Sequence, residues 1–147
     1  MNQPVQLNDT NIQTNTKMFW SAMQASAPMF LVVVYLMHSQ SIMDPILPDL
    51  RNIFIGLCII SIVAPFIFLG HFKRLQNKIR DNVKIGIDNE PAELQRYFSF
   101  LVIGMALCEL PAMFGLVLYI TVGDLFYSLF FIGLSFFLGF LYKPELS

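Results

Sequence analysis

The sequence predicts an all-α integral membrane protein, a four-helix bundle made of two helical hairpins. Two observations carry that prediction, and a third excludes the alternative. Of 147 residues, 56% are hydrophobic and 13% are charged, where an ordinary soluble domain carries about 25% charged residues. The charges are clustered, so uncharged runs extend over 19–37, 52–70, 97–108, 110–123 and 125–142. Runs such as Phe30-Leu31-Val32-Val33-Val34 do not alternate in polarity, as strands of a membrane β-barrel must. In lipid the remaining way to satisfy every backbone group is the α-helix.

About 20 apolar residues at 1.5 Å each cross a hydrocarbon core of about 30 Å. The runs therefore resolve into four helices, at about 18–38, 52–72, 90–121 and 124–142, within a transmembrane domain spanning 17–143. Phe19 and Trp20 open the first after Lys17, and Tyr142 with Lys143 closes the fourth. Such aromatic and basic pairs favour the membrane interface. Residues 1–16 contain no Lys or Arg and are rich in Asn, Gln and Thr. They read as a flexible polar tail and not as the positive start of a signal peptide.

Orientation follows from the basic residues. Lys73, Arg74, Lys78, Arg80, Lys84 and Arg96, of nine Lys and Arg in all, lie between the second and third helices. Positive loops stay in the cytoplasm, so this connection and both termini are expected inside. Within it, Phe72, Leu75, Ile79 and Val83 recur at helical spacing, so the second helix should run on to about Lys84 and end at Gly86. Asp88 or Asn89 can cap the third, with Pro91 in its first turn, where a missing N–H costs nothing. A third helix over 90–121 would span roughly 46 Å, so the two helices should project together into the cytoplasm. Lys73, Arg74, Lys78, Arg80 and Lys84 are either a site for anionic lipid headgroups or a partner, or charge that only sets topology. Asp81, Asp88, Glu90 and Glu93 dilute them.

A faint internal repeat runs through the chain. Met29-Phe30, Val33 and Tyr35 match Met113-Phe114, Val117 and Tyr119, with Pro28 and Pro111 close by. Phe68-Leu69-Gly70 matches Phe137-Leu138-Gly139. Two parallel hairpins would follow from a true duplication.

Glu109 is the single acid deep inside a span. A charge at the bilayer centre costs about 2.5–3.5 kcal/mol on insertion scales, so its depth favours the neutral acid. Gly104, Cys108 and Ala112 form a row of small residues beside it, continued by Gly115, and such rows let another helix approach closely. Pro111 removes one N–H, frees the carbonyl of Leu107 and bends the helix. Glu109 is expected to face protein, packed through this row against the first or second helix. It is either an ion- or proton-binding site or a neutral residue hydrogen-bonded to Gln24, Ser26 or Ser61.

The segment Ala106-Leu107-Cys108-Glu109-Leu110-Pro111-Ala112-Met113-Phe114-Gly115-Leu116-Val117-Leu118 resembles the carboxylate helix of the proteolipid subunit of rotary ATPases. That family carries its ion-binding carboxylate in a stretch of the form A-L-x-E, followed by a small residue, an aromatic and G-L-V. The resemblance covers residues 106–118 and implies that Glu109 is that carboxylate. The whole pattern also resembles a family of small, uncharacterised four-helix bacterial membrane proteins, through Gly123-Asp124, Phe126-Tyr127 and Tyr142-Lys143-Pro144. That family has no assigned activity, and the resemblance implies the bacterial inner membrane.

Other chemistry is thin. His38 and His71 fall at opposite membrane faces, and Cys58 and Cys108 lie in different spans, so no metal site and no cofactor is expected. No nucleophile–base pair or phosphate loop stands out, and an enzyme is not expected. A net charge of −1 provides no field for nucleic acid. The expected partners are the bilayer and other membrane proteins, in a homo- or hetero-oligomer. Three functions fit: a structural or accessory subunit assembling through helix packing, a proteolipid-like subunit using Glu109, or a membrane anchor recruiting a partner through the basic 72–96 segment.

Overall fold

A computed structural model describes residues 9–40 and 46–145, and every regular element in them is helical. The order is α1 (Asp9–Gln24), α2 (Ser26–Ser39), a 3-10 turn (Pro48–Leu50), α3 (Arg51–Ile85), α4 (Pro91–Val122) and α5 (Leu125–Leu141). Helices α1 and α2 form one bent rod, so the bundle has four members. Three of them, 11–39, α3 and α4, are long and apolar enough to cross a membrane, and α5 is a shorter apolar helix of 17 residues. The chain is a helical-bundle membrane protein.

Each helix boundary has a local cause. The bend falls at Ala25 because Pro28 lacks the N–H that would bond the Gln24 carbonyl. Gly86, at φ 76°, ends α3. The Ile87 N–H bonds the Asn82 carbonyl and the Gly86 N–H bonds that of Val83, an arrangement that satisfies two carbonyls at the helix end. Pro91 opens α4, as the sequence predicts, but neither Asp88 nor Asn89 caps it. Glu90 holds the cap position without a side-chain bond, and Asn89 instead accepts from Asn82 Nδ2 at 2.9 Å. Gly123 ends α4 at φ 75°. Asp124 then caps α5, its Oδ1 accepting from the Tyr127 N–H at 3.2 Å.

Two differences from the sequence reading are structural findings. The polar tail expected over 1–16 is helical from Asp9 onward; residues 1–8 lie outside the described residues. Helix α1 continues because Ile12 and Phe19 pack on the core at one end of the bundle, which a polar composition alone does not reveal. The second difference concerns the first hairpin. Among the described residues, α2 and α3 do not meet. The antiparallel pair α4 and α5 forms the centre, with α3 laid against one side and α1–α2 against the other.

Three buried clusters hold this sandwich together. Phe72, Ile79, Leu94, Tyr97, Leu101, Met105, Cys108, Leu138 and Tyr142 form the largest. Val34, Ala112 and Ile132 join α2 to the central pair, and Cys58, Leu118 and Phe131 join α3 to it. The C-terminal half of α3 buries Phe72 and Ile79 as the spacing predicts. Val83 is exposed and Gln76 is buried in its place, with Gln76 Nε2 donating to the Lys143 carbonyl at 3.4 Å. At the opposite end, Arg51 Nε and Asp124 Oδ2 stand 2.7 Å apart, the Leu47 N–H bonds the Thr121 carbonyl at 2.7 Å, and Arg51 lies 5.2 Å over the Tyr127 ring.

Candidate functional site

The site forms where two proline-disturbed helices run side by side. Helices α2 and α4 are parallel, because Ser26 meets Glu109 near one end and His38 meets Tyr119 near the other. Pro28 and Pro111 lie two residues beyond Ser26 and Glu109, respectively, so each removes the N–H that would bond the carbonyl of Gln24 or Leu107 near the carboxyl. The two helices that carry the first matched set of the internal repeat thus lie side by side.

Glu109 is only partly buried. Its Oε1 stands 2.7 Å from Ser26 Oγ, and Ser26 Oγ also stands 2.7 Å from the Met23 carbonyl. No second hydrogen bond to Glu109 exists among the described residues. Of the three partners expected from sequence, Ser26 is therefore the one used. Ser61 donates to the Cys58 carbonyl of its own helix at 2.7 Å. Gln24 turns to α5, donating from Nε2 to the Phe136 carbonyl at 2.7 Å. A crevice of about 10 Å³ separates these groups, lined by Met23, Gln24, Ser26, Ala27, Met105, Cys108, Glu109, Ser135 and Gly139. That is the threshold for holding one water molecule.

The row of small residues faces chiefly the fourth helix, where the first or second was expected, while Ala112 also meets the first through Val34 of α2. Gly104, Cys108, Pro111, Ala112 and Gly115 are all buried, and the row forms the seam with the fourth member of the bundle, not with α3. A Cβ on Gly104 would overlap the Tyr142 ring, and one on Gly115 would stand 3.1 Å from the Ser128 carbonyl oxygen. Ser135 Oγ donates to the Cys108 carbonyl. Ala112 shares a cluster with Ile132 of α5 and Val34 of α2. The physical reason is aromatic: α5 presents a ring that only a glycine can receive.

Several residues at the site carry weight that the sequence did not reveal. Tyr142, read as an interfacial residue, is fully buried, and its hydroxyl donates to the Pro65 carbonyl at 2.6 Å. Trp20 Nε1 donates to the Gly139 carbonyl at 2.9 Å, and Gln24 fills the space a Gly139 side chain would need. The signal available for this clamp was Gln24 itself, a large amide in an uncharged span that must find a partner.

The basic residues divide. Lys78 is paired with Glu93, and Arg80 bonds Asn77 at 3.1 Å. Lys73 lies 5.9 Å over the Phe72 ring, while Arg74 and Lys84 are exposed. Among the described residues no group of His, Cys, Asp and Glu could hold a metal ion, and Cys58 and Cys108 are free thiols.

No protein-family model, curated protein or solved structure matches the chain.

Proposed function

We propose that the chain is a small multi-pass protein of the bacterial inner membrane, with four spans and both termini cytoplasmic. In this reading it is a non-catalytic structural or accessory subunit that assembles through helix packing. The observation that carries the reading is the Ser26–Glu109 bond. It uses the acid within the spans to pin α2 to α4 at the bend, which is a packing role.

The topology draws support from charge. Lys17, Lys73, Arg74, Arg96 and Lys143 belong to the end where α1 and α4 begin and α3 and α5 finish, the pattern of a cytoplasmic face. Helix α5 is only about 26 Å long, and Asp124 and Lys143 flank it with charge on both sides. Reporter fusions at residue 147 and within 82–90 should read cytoplasmic, and one within 44–49 external. An external signal from 82–90 would invert the orientation.

A second reading, a proteolipid-like proton-binding subunit, is favoured by a hydrogen count. Ser26 has one hydroxyl hydrogen and two oxygens at 2.7 Å. The Met23 carbonyl can only accept, so if Ser26 donates to it, Glu109 must supply the proton of the other bond. Glu109→Gln keeps a donor at this position and should leave folding nearly intact, whereas Glu109→Asp shortens the reach and should fold less well. A Gln variant that folds and keeps the cellular role marks Glu109 as a packing residue. One that folds and loses the role favours the proton. Carbodiimide, which needs a protonated carboxyl, should label Glu109; no labelling despite shown access overturns the protonated carboxyl.

A further inference from the structure

We infer that the outer edge of α4 pairs with the same edge of a second copy of this chain, Glu109 against Glu109. The inference rests on the reading of the chain as an assembling subunit and names its partner. Glu109 is partly exposed and uses one oxygen on Ser26, leaving Oε2 without a hydrogen bond among the described residues. Hydrocarbon cannot supply one. Around it the edge is apolar and uncovered: Ala106 is exposed, Ile103 is 48% exposed and Met113 51%.

Three properties of the edge favour a second copy as its occupant. Copies share one orientation in the bilayer, so a twofold axis along the membrane normal brings each residue to its own counterpart at the same depth. With Ser26 donating to Oε1, a neutral Glu109 carries its one hydroxyl on Oε2, where it can donate to its counterpart or accept from it. Ala106, one turn from Glu109, leaves room for a close helix crossing. The row from Gly104 to Gly115 is occupied within the monomer, so it cannot perform this role.

The test is oxidative crosslinking of the full chain in native membranes. Ala106→Cys and Met113→Cys should form disulfide-linked dimers. The unsubstituted chain should not, because Cys58 and Cys108 are buried, nor should Ile60→Cys, a residue 68% exposed on α3. In the crosslinking background, Glu109→Gln should retain the dimer, and Glu109→Leu should reduce it roughly three- to tenfold, the range of interhelical polar contacts in membranes. Equal crosslinking at 60 overturns the pairing, as does none at 106 and 113 when both thiols react with a membrane-permeant maleimide. If 106 and 113 crosslink instead to another membrane protein, the pairing falls and the subunit reading stands. A monomer in detergent-free nanodiscs, with no crosslinks, overturns both.

Discussion

Gly104→Leu should lower the stability of the purified protein by about 3 kcal/mol, the upper range for overpacking a filled core. The cause is specific. The Tyr142 ring occupies the space over Gly104, and it is held there by its bond to the Pro65 carbonyl and by the ring of Phe72, itself backed by Tyr97. Phe72 and Tyr142 have centroids 5.1 Å apart, and Phe72 stacks on Tyr97 at 5.3 Å. A leucine must evict the tyrosine, leaving the Pro65 carbonyl without its partner. A double-mutant cycle checks the mechanism. Tyr142→Ala alone should also destabilise, yet Gly104→Leu added to it should cost far less than in the native background, because the new side chain fills the vacated space. Additive losses in thermal or denaturant unfolding would show that Gly104 acts through something other than Tyr142.

Gly139→Leu should have the next largest effect and should act on the opposite side of the bundle. A side chain there overlaps Gln24, whose amide donates to Phe136, and it crowds Trp20, whose indole donates to the carbonyl of Gly139 itself. Losing one such bond in a dry interior costs about 1–3 kcal/mol when the partner is left unsatisfied. Both bonds tie α1 to α5, so the variant should release the first rod while α3, α4 and α5 stay together. Protease cleavage within 9–24, with 51–141 still protected, is the expected pattern. Uniform loss of protection would mean that the rod is needed by the whole bundle.

The helical class was legible because lipid permits few alternatives, and the long charge-free runs leave no other way to satisfy the backbone. The extension of α3 to Ile85, its stop at Gly86 and the start of α4 at Pro91 were legible because glycine and proline act locally. The packing order was not. Helical spacing shows which face of a segment is apolar, but in a membrane lipid-facing and protein-facing surfaces are both apolar, so it could not reveal that α4 and α5 separate α2 from α3. At the site, Ser26 could be read as one of three partners for Glu109, beside Gln24 and Ser61, because few polar groups sit at that depth. The burial of Tyr142 could not, since a tyrosine beside a lysine at a helix end has the composition of an interfacial anchor whether it turns outward or inward.

The arrangement of α2 and α3 on opposite sides of the central pair has a consequence for biogenesis. Membrane helices insert first and associate afterwards, and synthesis runs from the N-terminus. When the first two spans have left the ribosome they have no surface for each other. The bent rod, with Gln24 still unpartnered and Ser26 bonded to its own Met23 carbonyl, and α3, with its Pro65 carbonyl not yet bonded by Tyr142, must wait in lipid as separate elements. Helix α4 gives Ser26 its carboxyl, and α5 then brings Gly139, Phe136 and Tyr142 to complete the remaining bonds. Assembly is therefore closed from the C-terminal half backwards, and the early spans are the ones that insertion factors and membrane proteases meet alone.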